Sequence, residues 1–301
     1  MKTKTLLLLA LAGTILAAAC EKNVGPAPLK SSREITFGVA GNRNLDIFTK
    51  GATPVGNDNL GTLYVSAITD SGYAFQNAGF AESSDGKWKG GKYWPVTDPT
   101  YIFAASNMSI EGSSSHPYVS VNTDTDVVVD YLTSPTFQAD NTLELRHIFA
   151  QIGTVTMKAP DGYTVSDLKL RIRPIQQGFY YLDTDSWTAG EPADDDVYIF
   201  GTADAGVDLG VGGSETSDDN DLWLVPGDYT LTATYTISID AFSETKTATA
   251  TVTFAQGYNN HIGLSSGAAN IPTPGDIQEL SFTVNVTAWD EQNVTASFTE
   301  Q

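Results

Sequence analysis

From Leu231 to Ile239 every second residue is apolar: Leu231, Ala233, Tyr235, Ile237 and Ile239 alternate with three threonines and a serine. A period of two places all five apolar side chains on one face of an extended strand and the hydroxyls on the other. The same pattern recurs along the chain. Ala248, Ala250, Val252 and Phe254 alternate with threonines, and Leu168, Leu170 and Ile172 alternate with Lys169, Arg171 and Arg173. Leu280, Phe282, Val284 and Val286 alternate with Ser281, Thr283, Asn285 and Thr287. One greasy and one wet face per strand is the pattern of antiparallel sheets packed as sandwiches. Gly, Pro, Asn and Asp clusters punctuate the runs, as turns require. No window beyond about ten residues holds a 3.6-residue period once the N-terminal segment is passed. The chain is therefore expected to be all-β, and it shows no internal repeat.

The N-terminus reads differently. Lys2 and Lys4 precede an apolar stretch from Leu6 to Ala19, and Cys20, the chain's one cysteine, follows at once. A basic start, a short apolar run and small residues before a cleavage point describe a secretory signal. The run falls short of the roughly 20 apolar residues that span a bilayer. A lone cysteine cannot form an internal disulfide. Ala17, Ala18 and Ala19 before Cys20 resemble the lipobox of bacterial lipoproteins, although Leu16 stands one place early. That resemblance implies cleavage after residue 19, acylation of Cys20 with palmitate or a similar chain, and outer-membrane anchoring. Two or more acyl chains hold stably where one does not. Residues 20–34 then read as a polar, lipidated tether.

Charge narrows the partners. The formal net charge is −20, and loss of Lys2 and Lys4 with the signal leaves 14 basic against 36 acidic residues. So acidic a surface repels nucleic acid and anionic lipid. A strong break at Pro160, Asp161 and Gly162 predicts two domains, over 35–160 and 161–301.

Several stretches, in order, resemble the fimbrillins, the lipoprotein-precursor subunits of type V pili, and their fimbrillin-like relatives. "ITFGVAGNRN" resembles their first strand and processing loop, and "WKGGKYWPVTDPTYIFAAS" (88–106) their Trp, Tyr-Trp-Pro and apolar-strand block. "LELRHIFAQIGTVTM" (143–157) is similar to the strand closing their first domain, and "DLWLVPGDYTLTATYTI" and "LSFTVNVTAW" to paired strands of the second. The resemblance implies two tandem transthyretin-like antiparallel β-sandwich domains. It also implies a route: export as a lipoprotein, cleavage by an Arg/Lys-specific surface protease, and polymerisation by donor-strand exchange with other fimbrial subunits. The product is a cell-surface fimbrium supporting adhesion to a host or bacterial ligand, with no cofactor.

The residues suit that route. Ile35, Phe37 and Val39 share one face of a short strand, and Gly41, Asn42 and Arg43 form a tip open to proteolysis. A cut after Arg43 frees the strand; a cut after Arg33, the alternative, frees only the tether. At the other end Val294, Ala296 and Phe298 alternate in the same way and offer a donor strand, unless the tail simply frays. Deleting residues 290–301 is expected to abolish donation without unfolding the monomer.

Other patterns carry less. "GLSSG" (263–267) fits a hydrolase elbow, but "AANIPTPG" after it cannot open a helix and no histidine follows His261. No coherent acid, base or nucleophile set is present, so no enzyme is expected. His116, His147 and His261 lack metal-ligand spacing, and His147 reads as a hydrogen-bonded core residue. The acidic loops 191–196 and 214–221 offer clustered carboxylates for Ca²⁺ without EF-hand spacing, so solvated loops are the simpler reading. Trp88, Trp94 and Trp187 read as a sugar-stacking platform or, more commonly, as core. The competing function is a monomeric outer-membrane surface lipoprotein that binds glycans.

Overall fold

The computed structural model describes residues 34–39, 60–94, 101–133, 135, 141–218, 220, 222–266, 282–287 and 293–300, with the backbone path alone for 264–266, 282–287 and 293–300. Every regular element among them is a strand, so the all-β expectation holds. In chain order these are β1 (Glu34–Val39), β2 (Leu63–Thr69), β3 (Gly72–Glu82), β4 (Trp88–Tyr93), β5 (Ile102–Ser106), β6 (Ile110–Ser113), β7 (His116–Asn122) and β8 (Val128–Leu132). Next come β9 (Asn141–Leu143), β10 (Arg146–His147), β11 (Ala150–Lys158), β12 (Thr164–Ile172), β13 (Gln177–Tyr181), β14 (Ser186–Ala189) and β15 (Val197–Phe200). The series ends with β16 (Gly210–Val211), β17 (Ser214–Thr216), β18 (Leu222–Leu224), β19 (Gly227–Ile239), β20 (Phe242–Phe254), β21 (Asn259–Ser266), β22 (Phe282–Thr287) and β23 (Asn293–Glu300). Among the described residues no helix is long and apolar enough to cross a membrane.

The first half forms one eight-stranded sheet in the order β10-β8-β5-β2-β3-β4-β1-β9. It folds over on itself at β3. That strand pairs with β2 from Gly72 to Phe80, then with β4 at Ala81 and Glu82. A long strand that changes partners along its length turns the corner between two packed layers. One shared core lies between them, with Ile35 and Phe37 from β1, Leu63 and Val65 from β2, Phe80 from β3, Phe103 from β5 and Leu143 from β9.

The second half repeats this device with different strands. Its sheet runs β15-β12-β19-β20-β23-β22-β21-β11-β17, with β16 beside β12 and β18 beside β11. Here β23 turns the corner: Asn293 to Ser297 pair with β22, and Phe298 to Glu300 pair with β20. Leu231, Ala233, Tyr235 and Ile237 are buried, as are Ala248, Ala250, Val252 and Phe254, so the alternation predicts the inward faces correctly. Leu168, Leu170 and Ile172 join them.

A four-stranded sheet, β14-β13-β7-β6, takes two strands from each half. Its inner face carries Ile110, Val119, Val121 and Tyr180 into a third cluster with Phe149 and Trp223.

The domain expectation of 35–160 and 161–301 sets its boundary at Pro160–Gly162. That stretch is a turn between β11 and β12, and β11 pairs with β17, β18 and β21. Ala150, Ile152, Val155 and Met157 all enter the second core. The division of the sheets thus lies near Ile148, a position that short-range turn chemistry does not mark. In a chain that returns β13 to β7, it is also not a clean cut.

Candidate functional site

The first strand is the segment on which the sequence places a function. Its apolar alternation makes a strand whose inner face is Ile35 and Phe37, both fully buried, with Val39 partly buried at the end. Phe37 packs among aromatic rings, 5.4 Å from Phe80 and 5.0 Å from Phe103 between centroids. Phe103 also meets Trp94 at 5.6 Å, and Trp94 stacks on Tyr101 at 5.3 Å. Burial of a side chain of this size contributes about 1.5–3 kcal/mol.

The ladders on either side are brief. β1 runs antiparallel to β4, with Thr36 opposite Lys89 and Phe37 opposite Trp88, and pairing resumes at Glu34 and Tyr93 after an irregularity. On its other side it runs parallel to β9 through Phe37, Gly38 and Val39. The irregularity has a cause in β4. Gly91 holds a φ of +63°, which favours glycine, and a Cβ on Gly90 would lie 2.6 Å from the Phe80 ring. The glycine pair in "WKGGKY" therefore lets β4 bulge past Phe80 while that ring stays against Phe37. Beyond β9, the N–H of Glu144 donates to the Asp130 carboxylate at 3.0 Å, tying this flank to β8. Burial pushes the Asp130 carboxyl up, against the backbone hydrogen bonds from Glu144 and Tyr131 that favour its charged form.

Six residues thus fill a core groove between two neighbours. Removing them exposes apolar surface and leaves β4 and β9 with open edges, which are templates for another strand. Cys20, Arg33 and Arg43 lie outside the described residues.

Val294, Ala296 and Phe298 belong to β23. In backbone register Val294 lies opposite Val286, Ala296 opposite Val284, and Phe298 opposite Ala250. The expected donor segment is thus a strand of its own domain, joining its two layers. Nothing in the local alternation distinguishes a strand kept at home from one given away.

The remaining candidates resolve into structure. His147 Nδ1 donates to the buried Asp126 carboxylate, 2.8 Å from Oδ2, as a hydrogen-bonded core histidine should. Trp88 and Trp94 are buried in the first core, and Trp187 packs against Tyr180 and Phe149. These tryptophans therefore form no platform. In the acidic loop 191–196, Asp196 binds Arg171 at 2.7 Å and Arg173 at 3.2 Å. Gly263 to Ser266 lie within β21, so the elbow geometry is not formed there. Among the described residues no group of three or more His, Cys, Asp or Glu is placed to hold a metal ion.

Sequence reasoning missed a polar seam that ties the two halves. Arg146 Nη2 donates to the Tyr180 hydroxyl at 2.9 Å and lies 3.0 Å from Asp185 Oδ1. The Tyr180 hydroxyl donates to the same Asp185 oxygen, and Gln256 Nε2 reaches both at 3.3 Å. Burial, then Asp185, pushes the Tyr180 phenol up. The residues come from three separate parts of the chain, so no local motif announces them.

Packed β-layers, with a short first strand filling a groove in the first core, define an all-β protein. The family described as fimbrillin-like matches residues 41–289, and the chain belongs to that family. The match starts just beyond β1 and stops before β23. Membership supports a pilus or adhesion subunit at the cell surface, with other fimbrial subunits as partners. Among solved structures, a candidate cell adhesion protein from Bacteroides uniformis is similar at 13% identity, with 86% of this chain and 99% of that one covered and a TM-score of 0.45. A candidate cell adhesion protein from Bacteroides ovatus matches at 11%, covering 86% and 96%, with a TM-score of 0.41. A candidate adhesin from Bacteroides thetaiotaomicron matches at 10%, covering 87% and 97%, with a TM-score of 0.42. No curated protein matches the chain.

Proposed function

We propose that the protein is a structural, tip or accessory subunit of a type V pilus, with no enzymatic role. It is exported to the outer membrane as a lipoprotein acylated at Cys20 and cut after Arg43, with Arg33 as the alternative site. Donor-strand exchange then joins it to its neighbours. The observation that carries this reading is the burial of Ile35 and Phe37 in a six-residue strand with short ladders on both sides. Such a strand is held mainly by its side chains. Once cut from the rest of the domain it is tethered by nothing covalent, and a competing strand of the same alternation can replace it.

Donation by Val294, Ala296 and Phe298 has a cost that a free tail would not have. β23 must leave β22 and β20 before it can enter a neighbour's groove. Exchange therefore proceeds only when the vacated groove of the acceptor offsets the seam opened in the donor.

Mild trypsin treatment of the purified precursor, read by intact mass and unboiled gel, tests the reading. A cut after Arg43 followed by a ladder of heat-sensitive oligomers is expected. Resistance at Arg43, or a cut without a ladder, would overturn a self-polymerising role and leave a terminal subunit or the monomeric glycan-binding lipoprotein.

A further inference from the structure

The outer face of the small β14-β13-β7-β6 sheet has no part in strand exchange. Its inner side is locked: Tyr180, Val119, Val121 and Ile110 are buried, and the Tyr180 hydroxyl is bound by Arg146 and Asp185. The alternate residues therefore point outward from a rigid support. In β13 these are Gln177, Phe179 and Tyr181, and in β7 they are Tyr118, Ser120 and Asn122. Register sets Tyr181 beside Tyr118, Phe179 beside Ser120, and Gln177 beside Asn122. Phe179 is 41% exposed, among the most exposed large apolar side chains described. Its ring lies 5.3 Å from Tyr118 at 76°, and Tyr118 lies 5.6 Å from Tyr181 at 59°. The three rings make steps, not a flat plate.

We propose that this face binds a neutral glycan chain. A pyranose ring has an apolar C–H face and a rim of hydroxyls. Exposed Phe179, flanked by half-buried Tyr118 and Tyr181, suits the first, and Ser120 and Gln177 suit the second with neutral donors and acceptors. The neighbours of the rings are hydroxyls and amides, which complement a hydroxyl-rich ligand. Charge fixes the class of sugar. The four strands contain no lysine or arginine, and Glu111 on β6 sets a carboxylate 3.5 Å from the Tyr118 hydroxyl. With a net charge of −20 overall, uronic and sialylated chains are repelled. The stepped rings suit a twisted or branched chain more than a flat, crystalline one.

The test uses the purified full chain on an array of neutral and sialylated oligosaccharides, with affinity electrophoresis through laminarin, mannan, arabinogalactan or polygalacturonate. Binding to at least one neutral glycan is expected, with none to polygalacturonate or to sialylated forms. Phe179→Ala should weaken it roughly tenfold or more, the scale of one lost aromatic contact. Ser120→Arg keeps all three rings and blocks the face, so it should weaken binding even if the alanine variant folds poorly. No binding to any neutral glycan, binding unchanged in both variants, or preference for acidic chains would each overturn the proposal. So would self-association of the protein that Ser120→Arg disperses, which would make the face a contact between copies of this chain. A trypsin ladder bears on neither outcome, so this inference and strand exchange fail separately.

Discussion

Phe37 stands edge-on to Phe103, with ring centroids 5.0 Å apart and planes at 84°. The contact joins the first strand to β5 in the opposite layer, so it crosses the core that β1 completes. Truncating Phe37 removes this contact and that with Phe80, and leaves a void that neighbours in two layers must close. Phe37→Ala should destabilise the first half by about 3–5 kcal/mol. Urea unfolding followed by hydrogen exchange should show early loss of protection in β4, β5 and β9, with β19 and β20 unchanged. Equal loss in both halves would mean that the seam at Tyr180 couples them into one unit.

Gly90 tests the bulge that lets β4 pass Phe80. A Cβ there would come 2.6 Å from the ring and 2.8 Å from the Gly79 carbonyl. Neither can move freely, because Phe80 is fully buried against Phe37. Gly90→Ala should cost about 1–3 kcal/mol by overpacking. If β1 is released more readily when its bed is disturbed, the variant should also polymerise sooner after trypsin. A thermal melt and a time course on unboiled gels measure the two effects.

Alkali should act on the second half through Tyr229. Its hydroxyl donates to the Val225 carbonyl at 2.6 Å, and burial pushes its pKa up to about 12. In the unfolded chain a tyrosine ionises near about 10. The folded form thus holds its proton more tightly, so the contribution is complete below the unfolded value and is lost as pH rises toward 12. Tyr229→Phe should remove part of this alkaline slope while lowering neutral stability by about 1–2 kcal/mol for the lost buried bond. Urea midpoints at pH 8, 10 and 11 check it. An unchanged slope would assign alkaline unfolding to other groups.

What the sequence made legible was whatever one strand decides alone. Alternation at 231–239, 248–254 and 168–172 predicted the buried faces because a half-buried strand records its environment every second residue. Ile35 and Phe37 were legible for the same reason. The pairing partners were not. Asp185 and Gln256 converge on Tyr180 from 5 and 76 residues away, and Phe179 meets Tyr118 only because β13 returns to β7. Pro160–Gly162 looked like a boundary because turn chemistry is local, while the allegiance of β11 depends on β17, β18 and β21. "QGFYY" did carry a signal, since three consecutive aromatics in a strand cannot all face one core, and Phe179 and Tyr181 lie on the side opposite Tyr180.

The C-terminal strand pairs with two neighbours, and its deletion tests what that pairing is worth. A free tail could be deleted at no cost to the monomer. β23 is no free tail: its first five residues pair with β22 and its last three with β20, so it turns the corner between the two layers of the second half. Deleting residues 290–301 should therefore strip both neighbours of a partner, raise exchange at Ala248–Ala250 and at Thr283–Thr287, and lower the melting temperature by several degrees. Replacing the backbone bonds alone is a finer probe. Thr295→Pro removes one N–H and should weaken the β22 side while the β20 side stays closed. Exchange mass spectrometry on the two variants separates the possibilities. If deletion leaves both stretches protected, the strand is dispensable to its own domain and free to serve a neighbour. If both open, donation requires a subunit whose own second half is held shut by another strand, and only a chain already linked on that side can donate.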